Sequence, residues 1–382
     1  MKFVHLSDLH LGKRVHEASM VEEQRYILEK ITDIIGEEKP DAVVISGDIY
    51  DKVVPTEEAV KLFDEFLFKL SGMNTQTMII SGNHDSADRL SYANRLIAKS
   101  GIHIAGVYNG NVVPITLKDG FGDVNFYLLP FVKAFTVKHC FPDEEENIRT
   151  TGDAVRVAIN RMNIDTAKRN ILVAHQFVTG ADRCDSEEIS IGGADNIDAE
   201  VFECFDYVAL GHIHGPQNVK GSEKIRYCGT PLKYSFSEVR HEKSVSVVEM
   251  GKKGELKVRT VPLVPLHDMK EIKGTYEYFM NNQNKDYNTV KDDFLHIILT
   301  DEDEILNAKR YLTEKYCNLL LLDYDNTRTR NYQTITTDDA VSTKTPLELF
   351  GELYEKQNGT SMSEDQTKYM EKLIEKIWEA GV

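Results

Sequence analysis

The sequence predicts a layered α/β domain followed by a smaller unit. Two observations carry that prediction. Short, nearly all-apolar runs recur through the first two-thirds: Phe3 to Leu6, Ala42 to Ile45, Met78 to Ile80, Ile171 to Ala174 and Tyr207 to Leu210. Runs this short and this rich in β-branched residues suit strands buried on both faces. Helical segments lie between them. VEEQRYILEKITDIIGEEKP puts Ile27, Ile31, Ile34 and Ile35 on one face and is expected to stop at Gly36 and Pro40; TEEAVKLFDEFLFKLSG repeats the pattern and ends at Gly72. The alternation is βαβ punctuation.

Composition bounds the rest. The chain has 382 residues, enough for two domains and an appendage, and 41% are hydrophobic, enough for a sizeable core. Met1 leads straight into KFVHL, so no signal peptide is expected. No apolar run approaches the ~18 residues of a membrane span. The five cysteines (140, 184, 204, 228 and 317) are scattered, odd in number and without a CxxC pair. That pattern points to reduced thiols and a cytoplasmic protein. The net charge of −17 argues against gripping nucleic acid with a global basic field. A locally positive cleft built by bound divalent cations remains open.

Near residue 265 the texture changes. VPLVPLHD reads as a hinge. EIKGTYEYFMNN, DFLHIILT, a helix-like EDEILNAKRYLTEKY and NLLLLDYD then form a small α+β unit. NTRTRNYQTITTDDAVSTK reads as a linker. Two helices close the sequence. TPLE at Thr345 and SEDQ at Ser363 both fit capping boxes, and the second helix sets Met370, Leu373, Ile374, Ile377 and Trp378 on one face. The expected boundaries are 1–265, 266–328, 329–344 and 345–382.

Each strand-like run ends in groups able to bind a metal. The order is Asp8-Leu9-His10, Gly47-Asp48, Gly82-Asn83-His84-Asp85, Ala174-His175 and Gly211-His212-Ile213-His214. Sites in α/β sheets form beyond the carboxyl ends of strands, so five such clusters can meet in one cleft. Asp8 and His10 are two apart, as are His212 and His214, and in an extended segment such pairs point the same way. Carboxylate, imidazole and amide oxygen together suit Mn²⁺ or a similar divalent ion. There are too many ligands for one ion and enough for two. Singly these signals are weak. A lone histidine near a strand end usually belongs to core or surface, and a lone GD is turn chemistry. Their joint order after five strands is the signal. His5, His16, His103, His139, His241, His267 and His296 lack such company and are read as structural.

That order resembles the calcineurin-like metallophosphoesterase superfamily. The resemblance implies an α/β/β/α core. It implies one metal on Asp8, His10, Asp48 and His214, and a second on Asp48, Asn83, His175 and His212, with Asp48 bridging. It assigns His84 to the substrate, with Asp85 holding its ring.

The flanks narrow the resemblance. MKFVHLSDLHLGK, VVISGDIYD, VALGHIH and CGTPLKYSFSE are similar to the SbcD family of nuclease subunits; DFLHIILTDEDEI resembles that family's capping domain, and TPLELFGELYEKQNG its segment that docks on the SbcC ATPase. The resemblance implies a Mn²⁺-dependent exonuclease on duplex DNA ends, driven with ATP by SbcC, and an endonuclease on single strands and hairpins. It also implies a homodimer, for which TEEAVKLFDEFLFKL and SADRLSYANRLIAK are the candidate helices. Lys13 and Arg14 are candidate phosphate contacts, against the ordinary reading of solvated loop charges. Asp143 to Glu146 reads as an exposed acidic loop. A phosphatase or cyclic-nucleotide phosphodiesterase would use the same metals on small phosphoesters. A non-catalytic scaffold would be expected to lack ligands, and here the ligand pattern is complete.

Overall fold

The apolar runs become the middle of two six-stranded sheets. The computed structural model describes residues 1–184, 187, 196–281, 287–332 and 345–379. One sheet runs, edge to edge, Leu256–Pro262, Ser244–Met250, Lys2–Leu6, Ala42–Ser46, Gln76–Ile80 and Ile102–Ala105. Its last four strands are parallel and its first two antiparallel. The other runs Gln217–Asn218, Ile225–Tyr227, Tyr207–Gly211, Arg169–His175, Gly122–Leu129 and Ile115–Asp119. Its middle four are parallel.

The sheets pack face to face because their strands are apolar on both sides. Phe3, Val44, Met78 and Ile80 of the first meet Phe126, Ile171, Val173 and Tyr207 of the second. The Phe3 ring stands edge-on to Phe126 at 5.6 Å and to Tyr207 at 5.5 Å. On its other face the second sheet buries Leu172, Ala174, Val208 and Leu210 against Val155, Ala158 and Ile159 of the Thr151–Asn160 helix. The Val21–Glu38 helix buries Ile27, Leu28, Ile31 and Ile35. It runs through Gly36, the expected stop, and ends at Lys39, whose left-handed φ of 47° and the following Pro40 forbid another turn. Thr56 caps Glu57–Ser71 by accepting from the Ala59 N–H at 3.2 Å.

SADRLSYANRLIAK is not one helix. It forms two single turns, Ala87–Leu90 and Asn94–Ile97, because Ala93 adopts φ of 57° between them. The acidic run lies in a short 3₁₀ segment, Pro142–Asn147, and its Asp143 and Glu144 pair with Arg161.

The chain divides into Met1–Asp268 and Met269–Val382. The second unit holds a parallel three-stranded sheet, Met269–Gly274, Phe294–Leu299 and Leu319–Tyr324. The Ala308–Lys315 helix covers it, with Leu312 and Tyr316 fully buried. That helix is shorter than EDEILNAKRYLTEKY suggests, because it starts only after Asn307 in the left-handed region. Part of the expected linker is helical, at Thr327–Tyr332; residues 333–344 lie outside the described residues. Both capping boxes form, Thr345 with Glu348 and Ser363 with Gln366. The side chains of Ile377 and Trp378 lie outside the described residues. No helix among the described residues is long and apolar enough to cross a membrane.

Candidate metal centre

Parallel strands deliver their carboxyl ends to one edge of each sheet, and the predicted site residues follow those ends. Asp8 and His10 leave Lys2–Leu6, Asp48 leaves Ala42–Ser46, and Asn83, His84 and Asp85 leave Gln76–Ile80. His175 ends its own strand, and His212 and His214 leave Tyr207–Gly211. The structure brings all nine to one region. Three triads each have ligand atoms within 4.8 Å of one another: Asp8, His10 and His214; His10, Asp48 and His84; Asp8, Asp48 and His175. Asn83 Oδ1 joins from the side, 3.0 Å from both His175 Nε2 and His212 Nδ1.

The loops are not extended, as the two-residue spacing had implied. Asp8, His10, Asp48 and His212 all have positive φ, at 52°, 45°, 49° and 100°. Such backbone costs on the order of 1–3 kcal/mol per residue and persists only where its surroundings over-determine it. Here two loops lock each other. Asp8 N–H donates to the Gly47 carbonyl and His10 N–H to the Asp48 carbonyl, both at 3.0 Å. His212 N–H donates to Asp8 Oδ1 at 2.9 Å. Gly47, with φ of 87°, must be glycine: a Cβ there would lie 2.5 Å from His175 Nδ1. At Gly82 a Cβ would collide with the Asp48 carboxylate.

The donor set divides into two clusters that share Asp48. In one, His10 Nε2 faces His214 Nε2 at 3.2 Å, beside Asp8. In the other, His175, His212 and Asn83 converge. Asp48 Oδ2 lies 3.3 Å from His175 Nε2 and 3.7 Å from His10 Nε2. His175 Nδ1 must carry its proton, because it donates to the Ser46 carbonyl at 2.7 Å. Its Nε2 therefore faces the Asp48 carboxylate and the Asn83 amide oxygen. Carboxylate, imidazole and amide oxygen atoms from both clusters thus converge, and this donor set fits divalent cations.

The titration behaviour agrees. Burial holds His10 well below the usual imidazole range and His212 down at about 3, so both are neutral and ligand-competent. Burial pushes Asp8 up to about 6. Burial acts on Asp48 in the same direction, but the neighbouring imidazoles, His175 first, outweigh it and hold the carboxyl well below its ordinary range. His175 is the exception among the imidazoles. Burial pulls it down, yet the Asp48 charge raises it to about 9.

His84 and Asp85 correct the expectation about their pairing. His84 N–H donates to Asp48 Oδ1 at 2.9 Å, and its ring Nδ1 donates to the Asp51 carbonyl at 3.0 Å. The Asp85 carboxylate instead accepts from three backbone amides: Gly82 at 2.9 Å, Ile49 at 3.1 Å and Tyr50 at 3.0 Å. Asp85 ties the two loops together and does not hold the His84 ring. Three otherwise orphaned buried N–H groups make the stronger demand on a carboxylate. Lys13 is likewise committed, 2.8 Å from Asp51 Oδ1, and Arg14 donates to the Glu17 carbonyl.

Sequence reasoning missed the bracing around the cluster. Glu238 is fully buried, contacts His214 Nδ1 at 3.4 Å and pairs with Lys243 at 2.5 Å. Lys243 also donates to the His214 carbonyl at 2.9 Å. Glu187 accepts from His214 N–H at 2.7 Å. Tyr234 Oη donates to the Leu9 carbonyl at 2.6 Å, and Gln24 bridges Tyr234 Oη and the His10 carbonyl. Tyr234 and Glu238 both lie in CGTPLKYSFSE, so the signal was present as a stretch without a role for each residue.

Comparison with known proteins agrees with this architecture. Residues 1–216 match the calcineurin-like phosphoesterase family, and residues 265–358 match the type 5 capsule protein repressor C-terminal domain. A Staphylococcus epidermidis protein, named as the D component of the SbcCD nuclease, is 32% identical over 97% of this chain and 98% of its own length. Its namesake from Staphylococcus saprophyticus is 32% identical over the full length of both chains. Two solved structures are similar only at low scores. The protein TT1561 of Thermus thermophilus has a TM-score of 0.39 and 12% identity, covering 68% of this chain and 98% of its own. A dimetal phosphatase from Danio rerio has a TM-score of 0.40 and 11% identity, covering 69% and 96%. The family assignment rests on the sequence matches: the chain belongs to the SbcD family of calcineurin-like phosphoesterases, metal-dependent hydrolases of phosphodiester bonds.

Proposed function

We propose that the chain is a DNA nuclease that uses two divalent ions, Mn²⁺ foremost, as the nuclease subunit of a complex with an SbcC-type ATPase. In that complex it degrades duplex DNA from its ends with ATP and cuts single-stranded and hairpin DNA internally. The observation that carries this reading is the pair of clusters on either side of Asp48 Oδ2. Asp8, His10, Asp48 and His214 would hold one ion; Asp48, Asn83, His175 and His212 would hold the other. Two cations held there would supply charge neutralisation of the phosphodiester and a lowered pKa for a bound water.

The chain's own groups do the rest. Asn83 contributes a neutral oxygen, so the second cluster gains a ligand without gaining charge. Asp85 fixes the loop that presents His84. His84, with Nδ1 committed to the Asp51 carbonyl, has its Nε2 as the atom that gives a proton to the leaving alkoxide. The loop backbones keep the ligands in place before substrate arrives, which is the preorganisation such chemistry needs.

Two surfaces support the assembly. Phe68, Tyr92 and Leu96 are 78%, 83% and 70% exposed, beside a groove of about 580 Å³ lined by Val60, Phe63, Leu67 and Ile97. A second copy of the chain covers this face in a homodimer. On the terminal helices Phe350, Leu353 and Leu373 remain partly exposed. They fit a groove on the ATPase. Scattered cysteines, all free, suit action in the reducing cytoplasm.

The test is digestion of linear duplex and hairpin DNA with Mn²⁺, with and without SbcC and ATP. His84→Ala is expected to bind two ions and lose cutting. Normal cutting by that variant would overturn the proton-donor role. Hydrolysis of small phosphoesters alone would overturn the nuclease reading.

A further inference from the structure

Beside the candidate metal centre lies a separate polar pocket of about 410 Å³. Its walls come from the chain just after His214 and from the 240–244 segment, with Arg183, Arg226, Arg240 and His241 among the lining residues. Asp182 and Glu242 also line it. In a chain of net charge −17, three guanidinium groups around one opening are unexpected.

The state of these arginines indicates what the pocket takes. Arg226 is only 9% exposed, yet its partners are neutral: Nε donates to Ser246 Oγ at 2.9 Å and Nη1 to Asn218 Oδ1 at 2.7 Å. A buried cation without a counter-ion is costly, and an anion in the pocket would offset that cost. Arg183 lays its guanidinium over the Phe177 ring at 3.4 Å, which leaves the N–H edge of the fork for an acceptor. Arg240 is exposed. Among the described residues none of the three forms an ion pair with a carboxylate. His241 adds a buried Nδ1 without a hydrogen-bond partner. Planar forks lining one pocket suit the tetrahedral oxygens of a phosphate diester.

The pocket adjoins the centre along the chain. Gly215 and Pro216 follow His214 directly, and the His241 ring closes on Gly215, where a Cβ would meet Cε1 at 3.2 Å. We propose that this pocket is a phosphate subsite that grips the DNA backbone next to the scissile linkage. It rests on the phosphodiesterase reading and deepens it. It gives the acidic chain a local grip on DNA that the metals do not supply, and it discriminates a polynucleotide from a small diester. A small diester has no neighbouring phosphate to offer.

The test compares two substrates in Mn²⁺: linear duplex DNA and bis(p-nitrophenyl) phosphate. In the full-length chain, Arg183→Gln/Arg240→Gln alters two exposed side chains and is expected to fold. It should raise KM for DNA roughly 10- to 100-fold and flatten the log–log salt dependence of DNA binding by about one to two units. Turnover of bis(p-nitrophenyl) phosphate should stay within twofold of wild type. Arg226→Lys, which keeps the charge but loses the fork, should show an intermediate KM for DNA. An unchanged KM for DNA in the double variant, or a parallel loss on the small diester, overturns the subsite. A wild-type chain inert toward both substrates would instead overturn the hydrolase reading beneath it.

Discussion

The two halves of the candidate metal centre are built from similar ligands and braced in different ways. In the half with His175, the ring is fixed by a backbone carbonyl, Ser46, at 2.7 Å. In the half with His214, the ring leans on a carboxylate, Glu238, at 3.4 Å, itself pinned by Lys243, Thr230 and the Tyr234 amide. A strand carbonyl is part of the sheet and cannot be removed by a side-chain substitution. A buried carboxylate–lysine pair can. The first half is therefore expected to tolerate changes around it, and the second to be tunable and fragile.

The largest effect is expected where the halves meet. Asp48→Ala removes the oxygen that lies 3.3 Å from His175 Nε2 and 3.7 Å from His10 Nε2, so both proposed ions should be lost. After loading with Mn²⁺ and desalting, metal content should fall from the proposed two ions per chain toward none, and turnover by about three orders of magnitude or more. One tightly retained ion in this variant would mean that the halves do not share Asp48.

Glu238→Gln separates the halves. Loss of such an outer partner costs on the order of 10- to 100-fold in metal affinity. Calorimetric titration should show one weakened site and one unchanged. Equal weakening of both would abolish the distinction between the halves. The same change leaves Lys243 buried and unpaired, at about 3–5 kcal/mol. Adding Lys243→Met should recover thermal stability without restoring the weak site, which distinguishes a bracing role from mere destabilisation.

Much of this was legible in the sequence because the chemistry sits at strand ends, where apolar runs stop abruptly. The strands carrying Asp8, Asp48, Asn83, His175 and His212 could be read from hydrophobicity alone. What could not be read depends on contacts across the chain. Asp85 stands beside His84, yet it answers to Ile49 and Tyr50 from another loop. Glu238 acts on a residue 24 positions earlier. The break at Ala93 has no proline or glycine to announce it, only a backbone angle of 57°. Strain and buried charge are tertiary facts, and local pattern is silent on both.

The frame under both halves should respond to acid. His5 is buried in the central strand, with Nδ1 3.0 Å from Tyr207 Oη. Burial, with a smaller contribution from Arg226, lowers it to about 3 from 6.5. The sign follows from linkage. Below about pH 6.5 the unfolded chain binds a proton that the folded chain refuses, so stability present at neutral pH is lost as pH falls toward 3. Metal-stripped protein should lose roughly 1 kcal/mol from this group between pH 6.5 and 5.5, read by urea denaturation. His5→Gln should flatten that slope; an unaltered slope would assign the acid sensitivity elsewhere.

The smallest expected effect tests the fragile half from its other side. Tyr234 Oη donates to the Leu9 carbonyl and accepts from Gln24, whose amide also holds the His10 carbonyl. Tyr234→Phe removes one hydroxyl and leaves the ring, which stands edge-on to His10 at 5.8 Å. The loop carrying Asp8 and His10 then loses one tie but keeps its backbone lock to Gly47 and Asp48. A single such hydrogen bond is worth about 0.5–1.5 kcal/mol, so affinity at the His214 half should fall no more than about tenfold. The His175 half should not change, since its brace runs through Ser46. A larger fall there than at the His214 half would show that the strained 8–10 loop, and not the outer bracing, governs both clusters together.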